Sequence, residues 1–553
     1  MEADNNSDID GAKLYKYLWL PTRDEHYHKC IMCKNEFRQE IKRSGYGNLR
    51  NHTFGSHSDW KEMLAALEAE AQATDGEITD ERRGTLIHAW VGNNRSIALF
   101  KWLDWIITSD LPFAFVEDPK SREYTKINLI TTAETIKRLA TAVEKAIQVK
   151  IKEEMPQSIG LMFDGWDRGD GSHVYALFAC YKHPKELVKG RPIAAMPLLA
   201  ACHLVDQTSF TAASIKQFLE TVMEAYGKTL NDVAFIVADN TTTNRCVADN
   251  LLVPFVGCAS HRLNLACKMF LEKCEPIISK IEQLMKKLKT PKIAGEMRAR
   301  TDLHPAIRNT TRWSSTYNMI KRYLEFRKLN AIDVDNPEIA ELMPSPHENL
   351  EIDTLFKDLS AFQESTKFLQ TEHGVSLATV RLIFDGLIDK FSDVQDTEHR
   401  TLADKYLGEN ARIVHSAAFE TAVVKVINNK ASELSELESY AIRRFKKSDS
   451  DDIIEASATA SAVSESPPGF LKEIFKRQRL QENESEYDQL DWIPPTSNRC
   501  ERLFSRAKLS LGYLRHALTP ERLQTILMLS SNRSYWNVGT VGKIVILEDA
   551  EYR

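Results

Sequence analysis

The chain is 553 residues long, which is enough for three or four domains of ordinary size. Hydrophobic residues make up 43% of it and charged residues 27%, a composition that excludes a disordered or fibrous chain. No uncharged apolar run of about 18 residues occurs, so we expect no membrane-spanning helix and no membrane partner. The net charge is −6, and therefore any surface that binds nucleic acid must be local.

The N-terminal stretch MEADNNSDID is acidic and has no apolar core, so we expect no secretory signal. The nine cysteines are scattered and odd in number, which favours reduced thiols in the cytosol or nucleus over a disulfide framework. Residues 1–25 are expected to be disordered.

A metal-ligand pattern begins directly after this N-terminal stretch. Cys30 and Cys33 form a C-x2-C pair, and His52 and His57 follow as an H-x4-H pair after 18 intervening residues. Two thiolates and two imidazoles suit the tetrahedral coordination of zinc. The sequence therefore predicts a structural zinc site within residues 26–58.

Two alternatives stay open for this pattern. His26 or His28 could replace one of the distal histidines, and the C-x2-C pair could occur by chance in a reduced protein. The spacing of the four ligands, with Trp19 upstream, resembles a BED-type zinc finger, a module whose presence implies DNA binding.

The predicted finger is also locally basic. Residues 29–50 hold six basic and two acidic residues, and Arg38, Lys42 and Arg43 carry groups that can reach DNA phosphates or base edges. A second basic window, residues 499–533, holds seven basic and two acidic residues. A solvated charged face is the alternative interpretation of both windows.

Residues 59–155 have the 3.6-residue periodicity of helices. The segment 96–118 is rich in aromatic residues, including Trp102 and Trp105, and a long amphipathic helix follows it. These aromatic residues are expected to form a core; a helical region that binds DNA or a second subunit is the functional alternative.

After Pro156 the pattern changes to strands and helices in a mixed α/β order. SIGLMFDGW, HVYALFACYK and PIAAMPLLAACHLVD are predicted as three successive strands, followed by a helix capped by Ser209 and the buried strand VAFIVADN. A short helix, a short strand FVGCASH and one long helix beginning at His261 come next. This is the order of a ribonuclease-H-like sheet, antiparallel first and then parallel, over residues 156–265.

The remainder of the chain is predicted to be mostly helical. Residues 266–447 are expected to form a helical insertion domain, and residues 448–485 an acidic low-complexity linker. A last helical segment spans residues 486–535, and residues 536–553 are expected to be a tail.

Two carboxylates stand at the ends of predicted strands. Asp164 ends the first strand and Asp239 ends the fourth, and these strands are neighbours in a ribonuclease-H-like sheet. Adjacent carboxylates repel each other unless a proton or a cation lies between them, and hard divalent ions such as Mg²⁺ prefer oxygen ligands. A third carboxylate from a helix would complete such a site. A turn or helix-capping role is the alternative for either aspartate alone.

Five ordered segments of the chain resemble the motifs of hAT-superfamily DNA transposases, which makes the chain similar to that family from residue 26 to residue 535. The resemblance implies a nuclease with an Asp-Asp-Glu triad on a ribonuclease-H-like fold, split by a large helical insertion. It implies that Asp164, Asp239 and Glu501 are catalytic and bind Mg²⁺ or Mn²⁺. The segments are FDGW, VADNTTTN, GCASHRLNLA, TRWSSTYNMI and SNRCERLFSRAK, the last followed by LRHALTPERLQTILMLSSN.

The resemblance also implies contacts with DNA. Cys258 and His261 match a C-x-x-H motif near the active site, and Arg312 and Trp313 match an R-W motif whose aromatic ring stacks on an extruded base. A core position is the alternative for Trp313, and a second zinc site is a weak alternative for the C-x-x-H pair. Arg502, next to the predicted catalytic glutamate, is a further predicted DNA contact.

The C-terminal segment is expected to support self-association as a homodimer or higher oligomer, because that is its role in the family it resembles. Its apolar residues recur at near-helical spacing, and the four taken as dimerisation residues are Leu503, Phe504, Leu511 and Leu514.

Together these features predict a nuclear, metal-dependent hAT-like transposase that binds element terminal repeats in double-stranded DNA, cuts them and joins them to a target. The alternative is a domesticated, transposase-derived DNA-binding regulator that has lost the chemistry. A cellular ribonuclease-H-type nuclease is disfavoured by the zinc-finger pattern and by the long helical gap within the core.

The zinc site gives a direct prediction. Zinc contributes on the order of 10 kcal/mol to folding in finger peptides, so Cys33→Ser should unfold residues 26–58 and leave the α/β core folded. DNA binding should weaken and become less dependent on salt, because phosphate contacts are lost. The measurements are zinc content per chain and a salt titration of DNA binding; a wild-type protein purified without zinc would contradict the predicted finger.

Overall fold

The computed structural model describes residues 11–22, 26–30, 36–39, 41, 45–56, 60, 64, 94–125, 127, 129–167, 172–188, 191–204, 209–309, 313–332, 335–372, 374–447, 470, 487–511 and 518–551. Within these ranges, no helix is long and apolar enough to cross a membrane. The chain divides into two compact units, one of Met1–Glu153 with Arg506–Arg553 and the other of Glu154–Ser505.

A small N-terminal domain packs around one tryptophan. In its three-stranded antiparallel sheet, Trp19 pairs with Cys30, and both side chains are buried. The Trp19 indole N–H donates to the Thr53 hydroxyl of the following helix at 3.2 Å. The expectation that residues 1–25 are disordered was therefore wrong for residues 11–22. The elements are α1 (Gly11–Leu18), β1 (Trp19–Pro21), β2 (Tyr27–Cys30), β3 (Glu36–Arg38) and α2 (Gly47–Ser56).

The predicted helices of residues 94–154 are present. Trp102 is buried, which agrees with the expectation of an aromatic core; Trp105 stacks on it at 6.0 Å but is 39% exposed, so the expectation was wrong for Trp105. The amphipathic helix buries one apolar stripe that includes Ile136, Val143 and Ile147. The helices are α3 (Asn94–Thr108), α4 (Pro119–Tyr124) and α5 (Ala133–Glu154), with a 3-10 turn at Phe113–Glu117.

The α/β core of the second unit is one mixed sheet with two helices between its strands. The elements are β4 (Ile159–Asp167), β5 (His173–Val188), β6 (Arg191–Ala195), β7 (Leu198–Cys202), α6 (Ala212–Ala225), β8 (Val233–Ala238), α7 (Thr242–Leu251) and β9 (Phe255–Gly257). The strand order is β6-β5-β4-β8-β9, with β7 also paired to β5. The β4–β5 pairing is antiparallel, whereas β4–β8 and β8–β9 are parallel, which confirms the predicted order of antiparallel and then parallel strands.

Two local predictions in this core were wrong. The third predicted strand is two strands, β6 and β7, because Pro197 between them has no N–H for a ladder and instead accepts from Ala179 N through its carbonyl. The cap of α6 is Thr211 rather than Ser209, and its hydroxyl accepts from Ser214 N at 3.3 Å.

The helical insertion follows β9 and has its own hydrophobic core. Its helices are α8 (Ala259–Glu272), α9 (Glu275–Leu288), α10 (Pro291–Arg298), α11 (Ser314–Lys328), α12 (Pro337–Ala340), α13 (Pro346–Leu369), α14 (Leu377–Lys390), α15 (Ala417–Ile427) and α16 (Glu436–Ala441), with a π-helical turn at Ala403–Leu407. The single long helix predicted from His261 is two helices, α8 and α9, because Pro276 in the first turn of α9 cannot continue the backbone hydrogen bonds of α8. The predicted linker lies almost entirely outside the described residues.

The C-terminal part begins in the second unit and ends in the first. Arg522 donates to the carbonyl of Lys137 at 3.0 Å, and Thr525 donates to Glu144 at 2.6 Å, so this part packs on α5. The predicted tail is wrong for most of its length, since Trp536 is buried and a helix follows it. The helices are α17 (Asn498–Ser510), α18 (Pro520–Ser531) and α19 (Val538–Glu551).

The pairing of β4 with β8 gives a stability prediction. Gly160 lies opposite Phe235, and a Cβ at position 160 would overlap the phenylalanine ring. Gly160→Val should lower the free energy of unfolding by about 1–3 kcal/mol through overpacking. The matched control is Gly295→Ala on α10, where the nearest atom to the new Cβ is 3.7 Å away, so the change should be neutral or stabilising by up to about 1 kcal/mol. Thermal unfolding of both variants tests this, and equal unfolding temperatures would contradict it.

Candidate active site

The sheet places two carboxylates side by side. Met162 pairs with Val237 in the parallel β4–β8 ladder, so Asp164 and Asp239, each two residues further on, lie at the same level of adjacent strands. Asp239 directly follows β8 as predicted, but Asp164 is inside β4, which continues to Asp167. The predicted adjacency of these two strands is confirmed, and it sets the position of the site.

The side chain of Asp239 is held from two directions. His261 Nδ1, in the first turn of α8, lies 3.2 Å from Asp239 Oδ2. The Ser497 hydroxyl donates to Asp239 Oδ1 at 3.3 Å. Each carboxylate oxygen therefore has its own polar neighbour, which fixes the orientation of the group.

The segment 495–501 returns to the sheet from far along the chain. Ala259 N donates to the Pro495 carbonyl at 2.9 Å, and Ser497 N donates to Cys258 Sγ at 3.3 Å. Helix α17 starts at the next residue, and Glu501 lies in its first turn. The docking of this segment thus brings the third predicted carboxylate to the same edge as Asp239.

The pKa of Asp164 depends on its burial and on the other two acids of the site. Burial raises its pKa first, the charges of Asp239 and Glu501 raise it further, and the Gly165 N–H, which donates to Asp164 Oδ1 at 2.8 Å, opposes the rise. The resulting pKa is about 8. Burial and the charge of Asp164 also raise the pKa of Tyr175 on the neighbouring strand.

Cys258 is placed differently from its predicted role. Its side chain is only 1% exposed, and burial raises the pKa of its thiol to about 12. The prediction that it contacts DNA is therefore contradicted by its burial; it joins Ser497 to the end of β9 instead. His261, the other member of the motif, is half-buried and faces Asp239.

The tryptophan predicted to stack on a base is a core residue in this structure. Trp313 is 5% exposed and its ring packs against Phe362 at 6.2 Å and Tyr317 at 6.4 Å. This burial is the alternative that the sequence left open for it. Its partner in the motif, Arg312, lies outside the described residues.

The predicted dimerisation residues are mostly interior. Leu503 and Phe504 are each 6% exposed, and Phe504 packs on Trp166 of β4 at 5.7 Å, so neither presents a surface to a second chain. Leu511 is half-buried, and Leu514 lies outside the described residues. Arg502 is exposed and donates to the Gln370 carbonyl at 3.3 Å.

The structure describes two of the four predicted zinc ligands, Cys30 and His52. Cys30 is buried, and the His52 ring lies 4.1 Å from Phe37 and 5.6 Å from Trp19, with its pKa lowered by burial. Cys33 and His57 lie outside the described residues, so the predicted zinc site stays a prediction.

The other residues of the predicted finger differ in their surroundings. His28 is not a spare ligand, because its two ring nitrogens lie 3.1 Å from the Tyr15 hydroxyl and 3.0 Å from the Gln39 carbonyl. Arg38 is exposed, whereas Lys42 and Arg43 lie outside the described residues.

The donor chemistry of the acidic cluster suits a hard divalent ion. Three carboxylates offer only oxygen ligands, and after burial the charges of Asp239 and Glu501 contribute to the raised pKa of Asp164. In the described part of the chain, no three or more His, Cys, Asp or Glu side chains are already arranged around one metal position.

Sequence reasoning missed two residues of the site. Ser497 binds both Asp239 and Cys258, and Asn240 donates from its amide to the Cys258 carbonyl at 3.1 Å. Ser497 opens the motif that contains the predicted catalytic glutamate, which was the available signal. Asn240 follows Asp239 directly and belongs to the VADNTTTN segment, which was its only signal.

Comparison with known proteins gives one family match. Residues 256–357, under a fifth of the chain, match the ZBED1 RNase-like helical domain, from β9 through the first half of α13. No curated protein matches. A solved structure, the Drosophila P element transposase strand transfer complex, is 11% identical and covers 88% of this chain and 98% of its own, with a TM-score of 0.31, too low to establish a shared fold. The helical segment after β9 is thus similar to a domain of ZBED type.

The crowding of carboxylates gives a pH prediction. The folded-state pKa of Asp164, about 8, exceeds the ordinary 3.8, so the stability linked to this group is complete below pH 4 and is lost as the pH rises towards 8. Asp164→Asn should therefore raise the unfolding temperature by a few degrees at pH 8 in a chelating buffer, and much less at pH 5. Asp167→Asn, at the exposed end of the same strand, is the control. An equal effect of Asp164→Asn at both pH values would contradict the raised pKa of Asp164.

Proposed function

We propose that this chain is a hAT-like DNA transposase that cuts the ends of its element and joins them to target DNA in a reaction dependent on Mg²⁺ or Mn²⁺. The observation that supports the proposal most strongly is the meeting of Asp164, Asp239 and Glu501 at one sheet edge. The first two come from adjacent strands, and the third arrives on a segment joined to Asp239 by Ser497, which is 258 residues away in sequence.

The residues of the site have separate tasks in this proposal. Asp164, Asp239 and Glu501 would hold the divalent ions, because carboxylate oxygens are their preferred ligands. Bound ions supply activation of the attacking oxygen and stabilisation of the leaving oxygen in phosphoryl transfer. Ser497 and His261 fix the direction of Asp239, and the Gly165 N–H fixes one oxygen of Asp164.

Double-stranded DNA is the substrate in this proposal. The exposed Arg502 lies one residue beyond Glu501, where a guanidinium can contact a phosphate beside the cleavage site. The predicted zinc finger would add contacts with the terminal repeats through Arg38, Lys42 and Arg43. A nuclear location and self-association belong to the same proposal and follow from the family resemblance.

The buried Trp313 also bears on mechanism. To stack on an extruded base it would have to leave its contacts with Phe362 and Tyr317, and each stacked base returns roughly 1–3 kcal/mol. Base stacking by this residue would therefore accompany a rearrangement of the insertion.

The test is Glu501→Gln, which removes a charged oxygen ligand without changing the volume of the side chain. We expect folding and DNA binding close to wild type, and Mg²⁺- or Mn²⁺-dependent nicking of element-end DNA reduced by at least about 100-fold. The measurements are cleavage of a labelled element end, and binding of the same DNA in a gel shift without metal.

The control is Glu224→Gln, an exposed glutamate on α6, which should cut like wild type. A wild-type protein that binds element ends but never nicks them would reject the enzyme and leave the DNA-binding regulator as the function.

A further inference from the structure

A buried ion pair lies one residue beyond the site histidine. Arg262 of α8 and Glu420 of α15 meet with Nη1 and Oε2 at 3.0 Å, and their side chains are 4% and 11% exposed. Burial lowers the pKa of Arg262 and raises the pKa of Glu420, and each group opposes the shift of the other. The pair is enclosed, and neither residue belongs to the three carboxylates that could hold a metal ion.

The guanidinium of Arg262 is engaged on three sides. Besides Glu420, it donates from Nε to the Tyr406 carbonyl at 2.9 Å and from Nη2 to the Gly408 carbonyl at 3.1 Å. Its plane lies over the Phe384 ring, 5.2 Å from the centroid. Only a planar guanidinium fork meets these directions together; an ammonium group cannot.

The two backbone carbonyls that accept hydrogen bonds from Arg262 are those of Tyr406, in the π-helical turn Ala403–Leu407, and of Gly408, the residue after this turn. Gly408 closes this turn, with its N–H donating to the Ala403 carbonyl at 2.9 Å, and a Cβ at position 408 would lie 2.5 Å from that same oxygen. Arg381 donates to the Leu407 carbonyl between the two taken by Arg262, at 2.7 Å. The turn is thus a fixed acceptor for two arginines.

Glu420, the acidic member of the pair, interacts with the end of strand β9. Besides Arg262, the backbone N–H of Gly257, the last residue of β9, favours the charged form of Glu420. Arg262 N donates to the Cys258 carbonyl at 3.1 Å, in the first turn of α8. The strand end and the helix start that place His261 are therefore both tied to the insertion through one pair.

A buried ion pair adds little net stability, because the cost of removing two charges from water offsets their attraction. The pair does fix orientation, because the hydrogen bonds of Arg262 hold the start of α8 against the π-helical turn. We propose that Arg262 and Glu420 are positioning residues, which hold the β9–α8 junction so that His261 stays against Asp239. This inference rests on the proposed function, because it serves the cleavage site.

The test replaces both charges with apolar groups of similar size, as Arg262→Met with Glu420→Leu. The double variant should fold and unfold close to or moderately below the wild-type temperature, because the loss of two buried charges is offset by carbonyls of Tyr406 and Gly408 that lose a donor. Hydrogen exchange of residues 255–265 should become at least about 10-fold faster, and cleavage of element-end DNA should fall about 10- to 100-fold, the usual effect of removing residues that orient a metal ligand. The affinity for Mn²⁺ alone should fall by a similar factor.

The matched control removes another ion pair from the same helix. Lys425 and Glu438 join α15 to α16 at 2.8 Å, and neither is bonded to α8 in the described contacts. Lys425→Met with Glu438→Leu should leave exchange in residues 255–265 and cleavage unchanged.

The outcomes are separable. A double variant with wild-type exchange and wild-type cleavage would overturn the positioning role. If the wild-type protein never cleaves, the proposed function fails, and the exchange measurement still decides whether the pair holds residues 255–265. If the double variant does not fold, Arg262→Lys replaces it: this variant keeps the charge beside Glu420 but loses the fork, and unchanged exchange in residues 255–265 and 403–408 would overturn the inference.

Discussion

The candidate site depends on the docking of residues 495–501 onto the end of β9. Ser497 donates its backbone N–H to Cys258 and its hydroxyl to Asp239, and together with the Ala259–Pro495 bond these contacts fix the segment that carries Glu501 against the sheet. The entropy of closing a loop grows only with the logarithm of its length, so a long insertion between the sheet and this segment costs little more than a short one. The insertion can therefore be large without weakening the docking.

The same docking concentrates negative charge. Asp164 lies beside a second aspartate and an incoming glutamate; burial raises its pKa first, and the charges of these two acids raise it further. A fold that gathers three carboxylates in a half-buried place has lower stability at neutral pH unless a cation or proton is bound. His261 and Ser497 contact the two oxygens of Asp239 and fix its direction.

Much of the fold followed from local pattern. The runs of strand-forming residues predicted the order of strands and helices along the chain, because alternation and apolar content are read over a few residues, and the ribonuclease-H-like order then implied the adjacency of β4 and β8. The errors came where a single residue overrode the pattern: Pro276 divided a predicted helix, and Pro197 divided a predicted strand. Trp19 anchors a segment that was expected to be disordered, and Trp536 anchors one that was expected to be a tail, because the partners that bury each ring lie far away in sequence.

The sequence by itself indicated Asp164 and Asp239, because each stands at or near the end of a strand-forming run, and its resemblance to hAT transposases added Glu501. Only the tertiary structure decided which distant residues contact the site and the elements that carry it. Ser497 meets Asp239 across 258 residues, and Arg262 meets Glu420 across 158, and no periodicity extends over such distances. It also decided that Cys258 is interior, because the returning segment covers it.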